Sequence, residues 1–207
     1  MLRNRSIDFL LIHVGRKEGL KKSLSLAPLG LLGLADFLNK QNVCTRVLNI
    51  PFMRLENKKF DLFQVIDKYN IPLVGITLHW YPQLYECLTL AQKIKNRHPQ
   101  TRIVLGGFTA TYFSQEIMKD FCGIDFIVRG DPEIPMVELV KCIRQNDSDL
   151  SRVPNLTWRK KGTIVVNPQS YAATAKVLDQ ISFFNMENLI NDQGKFLRNP
   201  HVDTKKN

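Results

Sequence analysis

The stretch Ile103-Val104-Leu105-Gly106-Gly107-Phe108-Thr109-Ala110 ends an apolar run on two adjacent glycines, and a helical pattern follows. Glycines between a strand and a helix often cradle a phosphate, but neither phosphate signature is present. A dinucleotide fingerprint needs Gly-x-Gly-x-x-Gly, and a P-loop needs Lys followed by Ser or Thr; Phe108-Thr109-Ala110-Thr111 supplies neither. The pair therefore reads as bare backbone that admits something flat or bulky. Two histidines, His13 and His79, close apolar runs of their own, and imidazole suits transition metals. The remaining candidates point to no chemistry. Glu133 and Glu138 are five apart and share no helix face, and a Glu at a helix start is explained by the helix dipole. Ser25 and Ser114 have no neighbouring His or Asp to make a nucleophile. Cys44, Cys87, Cys122 and Cys142 lie too far apart for a zinc, iron–sulfur or disulfide framework, and most read as buried fillers in a reducing cytoplasm.

The elements that position these residues alternate regularly. Ile7 to Val14 is a buried-type strand, and Pro28 opens a helix in which Leu31, Leu34/Ala35 and Leu38 recur at helical spacing. Val43 to Ile50 is a second strand, Phe60, Phe63, Ile66 and Tyr69 mark a second helix, and "PLVGITLHW" from Pro72 is a third strand. Leu84, Cys87/Leu88, Ala91 and Ile94 form a third helix that stops at His98-Pro99. "RIVLGG" is the fourth strand. Phe113, Ile117 and Phe121 face one side of a fourth helix, "IDFIVRGD" is the fifth strand, and Met136, Leu139/Val140 and Ile143 pattern a fifth helix. Strands that each lead into a helix predict a doubly wound parallel α/β sheet over residues 5–150. Residues 151–190 hold a hairpin around Lys161-Gly162 and a connector, and the polar tail at 191–207 reads as a linker.

Ligands of such sheets sit beyond the carboxyl ends of the strands, where strand order reverses. That rule turns the strand ends into a site list: His13, Thr77, Leu78, His79, Gly106, Gly107, Phe108, Thr109, Arg129, Gly130 and Asp131, joined by Leu29 and Gly30 at the first helix start. Charge excludes little. Twenty-nine Lys+Arg against 19 Asp+Glu give a net charge of +10, but the basic clusters (Arg3/Arg5, Arg16/Lys17/Lys21/Lys22, Arg159/Lys160/Lys161, Lys205/Lys206) are scattered with no aromatic RNA-binding signature. They read as solvated surface rather than a nucleic-acid stripe. No apolar run is long enough to span a membrane.

In order, "PLGLLGLADFLNK", "VLNI", "VGITLHWYPQLYECLTLAQKIKNRHP", "IVLGGFTAT", "DFIVRGDPEIPMVEL" and "VPNLTWRKKGTIVVNP" resemble the N-terminal cobalamin-binding domain of radical SAM enzymes. The resemblance covers about residues 7 to 185 and implies a Rossmann-like five-stranded sheet of order 2-1-3-4-5. It further implies that cobalamin's nucleotide tail inserts between strand ends while the corrin lies over the carboxyl edge. Gly106 and Gly107 match the family's Gly-Gly beside that tail, Thr77-Leu78 its Ser/Thr-x position, and Arg129-Gly130-Asp131 its Arg-Gly-Glu. His79 and His13 are the candidates near cobalt.

Three departures matter. Leu11 and Arg16 replace the Asp and Gly of Asp-x-His-x-x-Gly, which favours binding without an axial histidine. "RGDPEIP" replaces "RGEGE", and Pro132 removes an N–H from that loop. No Cys-x-x-x-Cys-x-x-Cys follows "LDQISFF" (178–184), the echo of the family's linker, so the [4Fe–4S] cluster and S-adenosylmethionine are expected only in a radical SAM barrel beyond this segment. The implied function is a cytoplasmic cobalamin-binding domain that presents its corrin to that barrel, most simply for methyl transfer. The alternative is a docking or recognition module that has kept the fold and lost cobalamin. Val at Gly107 should block the ligand and spare the fold, unless that glycine has a positive φ.

Overall fold

The computed structural model describes residues 7–15 and 28–190. The clusters at Arg3/Arg5, Arg16–Lys22 and Lys205/Lys206, Ser25, and the linker expected at 191–207 lie outside them.

The first strand sets the architecture. In β1 (Phe9–His13), Leu10 and Ile12 enter one apolar layer while Phe9 and Leu11 enter the other. A strand apolar on both faces belongs at the centre of a parallel sheet. It lies between β2 (Thr45–Asn49) and β3 (Leu73–Thr77), parallel to both. β4 (Arg102–Gly106) and β5 (Phe126–Val128) continue the parallel set, giving the expected order 2-1-3-4-5. The sheet does not stop there. β6 (Leu156–Lys160) and β7 (Thr163–Val166) add two antiparallel strands to the β5 edge, so one sheet has seven strands rather than five. Positive φ at both Lys161 (50°) and Gly162 (86°) is the turn geometry that matches the twist of a two-residue hairpin.

Helices α1 (Leu29–Lys40) and α7 (Glu133–Arg144) cover the face that carries Phe9 and Leu11. The other face is covered by α2 (Ile50–Glu56), α3 (Leu62–Tyr69), α4 (Leu84–Arg97), α5 (Phe108–Tyr112) and α6 (Ser114–Asp120). Helix α4 ends where Pro99 forces His98 out of the helical region, at φ −129° and ψ 72°. Two details differ from expectation. Helix α2 begins at Ile50, read as the last residue of a strand; the Asn49 side chain caps it by accepting from Phe52 N at 3.4 Å, and Pro51 suits its first turn. The expected fourth helix is broken at Phe113 (φ −102°, ψ 29°) into α5 and α6, so of Phe113, Ile117 and Phe121 only Ile117 is buried. No helix among the described residues is long and apolar enough to cross a membrane.

After the hairpin, a strap that includes the short helix α8 (Ala175–Leu178) crosses back over α1 to the opposite edge of the sheet, where Ile190 N donates to Val47 O at 3.0 Å. Asp36, only 4% exposed, holds it there. Its carboxylate accepts from Ser182 N (2.9 Å) and Asn185 Nδ2 (3.0 Å) and pairs with Lys40 Nζ at 2.7 Å. Gly33 lets the strap lie flat, because a Cβ there would come within 2.7 Å of the Phe183 ring and 2.8 Å of Ile181. Burial raises the Asp36 pKa, but Lys40, Asn185 and Ser182 together bring it below 3.8. The strap is therefore held fully above that value, and the hold is lost as pH falls through the lowered one. Asp36→Ala removes two buried hydrogen bonds, so it should destabilise the strap by about 1–3 kcal/mol. Limited proteolysis should then cut within residues 175–190 while the sheet stays intact.

Candidate functional site

Beyond the carboxyl ends of β1, β3, β4 and β5 a cavity of about 710 Å³ opens between the sheet and the α1/α7 layer. This is the crevice where strand order reverses, between β1 and β3. Its inner wall is apolar, built by Phe9, Leu11, Val104 and Val128 from the sheet and by Leu34 and Met136 from the two helices. Gly75 lines it from the middle of β3 and has no side chain of its own, so Phe9 and Leu11 lean over that strand; a Cβ would stand 2.6 Å from Phe9 and 2.9 Å from Leu11. Glycine inside a central strand is the signal that could have disclosed this wall. The strap supplies Leu178, Ile181 and Phe183 as a further side. The size and apolar lining suit a small-molecule or cofactor ring with a few polar contacts at the mouth.

The two glycines of the opening motif play different parts. Gly107 has φ +104°, and a Cβ there would meet Leu78 O at 2.7 Å and His79 N at 3.0 Å. Its lack of a side chain is fixed by the fold, through the close approach of β4 to the end of β3. Gly106 has only Val128 O within 4 Å of its would-be Cβ, at 3.9 Å, and it lines the cavity. Gly106 is the open glycine.

Of the other expected residues, Leu29, Gly30, Thr77, His79, Phe108, Gly130, Asp131 and His13 also line the cavity. His79 packs against Phe108 (ring centroids 4.4 Å) and Trp80 (4.9 Å), forming an aromatic lip. His13 is partly buried, and desolvation lowers its pKa from 6.5, so the imidazole is held neutral near neutral pH. Leu78, Thr109 and Arg129 are placed elsewhere. Leu78 is fully buried in the core. Thr109 donates its hydroxyl to His79 O at 3.1 Å, bracing the lip from behind. Arg129 turns away and donates to Asn155 O (3.3 Å) and to Asn167 O, tying β5 to the loops that flank the hairpin. Asp131 accepts from Ala173 N at 2.8 Å, and Gly130 N donates to Thr111 Oγ1 at 3.0 Å, which fixes the loop before α7.

The four cysteines are free; Cys87 and Cys142 are buried fillers, while Cys122 is exposed and Cys44 half-buried. Burial pushes the Cys87 thiol up to about 12. Among the described residues no group of three or more His, Cys, Asp or Glu is placed to hold a metal ion.

A family model for the B12 binding domain matches residues 21–140, more than half of the chain. The chain belongs to the B12-binding domain family. Similar proteins include an uncharacterised methyltransferase of Pyrococcus horikoshii, 27% identical over 142 residues, which are 68% of this chain and 30% of that protein. The anaerobic magnesium-protoporphyrin IX monomethyl ester cyclase of Synechocystis is 33% identical over 72 residues, 35% of this chain and 14% of that protein. Among solved structures, the radical S-adenosylmethionine methyltransferase TsrM from Kitasatospora setae, with cobalamin and a [4Fe-4S] cluster bound, superposes with a TM-score of 0.66 at 22% identity, over 82% of this chain and 30% of that one. The structural likeness concerns the fold. The chain spans less than a third of the length of each of these proteins.

The two glycines should separate experimentally. Gly107→Val forces a β-branched residue to φ +104° and drives it into Leu78, so it should destabilise the fold by more than about 2 kcal/mol in thermal or urea unfolding. Gly106→Val should unfold close to the parent. His13, titrated by NMR, should show a pKa below 6.5. The unfolded chain then binds that proton more readily, so His13 lowers stability as pH falls through 6.5.

Proposed function

We propose that this B12-binding domain holds cobalamin in the strand-end cavity and presents it to a radical SAM barrel, for methyl transfer. The observation that carries the reading is the cavity itself: apolar-walled, cleared by Gly75 and Gly106, and located at the topological switch point. The residues fit the group. Phe9, Leu11, Val104 and Met136 offer flat apolar surface to a heteroaromatic nucleotide base and keep water from it. Thr77 and the bare backbone at Gly106 offer a hydroxyl and peptide groups to the polar parts of the tail. The aromatic lip of His79, Phe108 and Trp80 stands at the mouth, where it would meet a macrocycle. Bound cobalamin supplies one-carbon transfer chemistry at its cobalt, which no protein side chain provides.

Methyl transfer is favoured because two of the three relatives described are named as methyltransferases and match two thirds or more of this chain, whereas the cyclase matches 35%. The cluster and S-adenosylmethionine belong with the barrel rather than with this domain. A docking module that had lost cobalamin has no use for so large a cleared cavity.

Titration with hydroxocobalamin, followed by visible absorbance and by co-elution on gel filtration, tests the reading. The parent chain should bind, and Gly106→Val should weaken binding at least tenfold, about 1.4 kcal/mol. His13→Ala should cost less, because no obligatory axial imidazole is expected. A folded parent that leaves the cobalamin spectrum unchanged and elutes without pigment would overturn the assignment.

A further inference from the structure

Glu133 begins α7 and lines the cavity, yet it is only 9% exposed and its Oε2 has no hydrogen-bond partner. A carboxylate at a helix start gains from the macrodipole, which explains why it is tolerated there but satisfies no buried oxygen. The Tyr171 hydroxyl is near enough to interact with this carboxylate, but neither oxygen reaches a partner at full hydrogen-bond geometry. Burial raises the Glu133 pKa, and the charge of Asp131 adds to that rise. A buried acceptor left open in a pocket wall is destabilising in the empty protein. It becomes favourable once a ligand supplies the missing donor.

We propose that Glu133 is a cofactor-contacting residue whose Oε2 accepts a hydrogen bond from a neutral donor of the bound ligand, a hydroxyl or a carboxamide N–H. The inference rests on the cobalamin reading and adds to it the one acidic side chain in the inner cavity that lacks a protein partner. Asp131, the other carboxylate that lines it, is already engaged by Ala173 N. Pro132, beside Glu133, has no N–H to offer a ligand. Neutral donors occur in two parts of cobalamin, the ribose of its nucleotide tail and the carboxamides of its corrin.

The test compares hydroxocobalamin with cobinamide, which lacks the nucleotide tail, as titrants of the parent chain, Glu133→Leu and Glu133→Gln. Thermal unfolding of each ligand-free variant is measured alongside. Leu keeps the volume and removes the open acceptor, so its ligand-free form should melt at or above the parent temperature while hydroxocobalamin binding weakens at least tenfold. Gln keeps a carbonyl acceptor and should bind within about threefold of the parent. Unchanged cobinamide affinity in the Leu variant would place the donor on the nucleotide tail, and an equal loss would place it on the corrin; either supports the contact. A folded Leu variant that binds hydroxocobalamin like the parent overturns it, as does a loss of binding that merely follows a lowered melting temperature. A parent that binds neither corrinoid brings down the cobalamin reading itself, and this inference with it.

Discussion

The mouth of the site depends on one backbone junction, where the chain leaving β3 is pinned by the chain leaving β4. Leu78 N donates to Gly106 O at 2.8 Å, and Leu78 O accepts from Ala110 N at 3.3 Å. Gly107 is pressed so close that no Cβ fits between it and Leu78. The Thr109 hydroxyl closes the joint on His79 O. These contacts carry α5 to its place and bring the rings of His79 and Phe108 together. They also leave Gly106, one residue earlier, facing open space. Open space and a close backbone approach thus come from adjacent glycines.

The core divides into two apolar layers, and the strand-end cavity is hollowed into one of them. The α1/α7 face gives way near the strand ends, where Gly75 withdraws its side chain. Strand order accounts for the place of this opening. Successive connections leave the β1–β3 switch point in opposite directions, so the helices diverge there and cannot close the gap. What the fold leaves open by topology, the strap partly walls with Ile181 and Phe183.

Much of this could be read in the residues themselves, because strand and helix periodicities are local. The five parallel strands and the rim positions at Thr77, His79, Gly106 and Asp131 followed from apolar runs and from the rule on strand ends, while the strand order came from the family resemblance. What escaped was non-local or masked by a competing pattern. Helix α2 was hidden because Ile50 continues the apolar run of β2, although Asn49 and Pro51 carry a helix-start signal. Phe113 and Phe121 fit a helical period, but the break at Phe113 turns them outward. The carbonyl partners of Arg129 across the hairpin loops lie outside any local pattern. Glu133 fitted a helix dipole so well that its burial in a cavity wall went unsuspected. The strap has no period at all, and its anchor Asp36 is far away in sequence.

That distance has a kinetic meaning. Asp36 and Asn185 are 149 positions apart, and so are Asn39 and Asn188. Contacts of such high sequence separation carry the greatest loop-closure entropy, so they form after the local strand–helix units have consolidated. A segment docked through a few such contacts is the kind of unit that opens at lower free energy than a central sheet. Because the strap forms one side of the cavity, an opening of that kind would widen the cavity without unfolding the sheet.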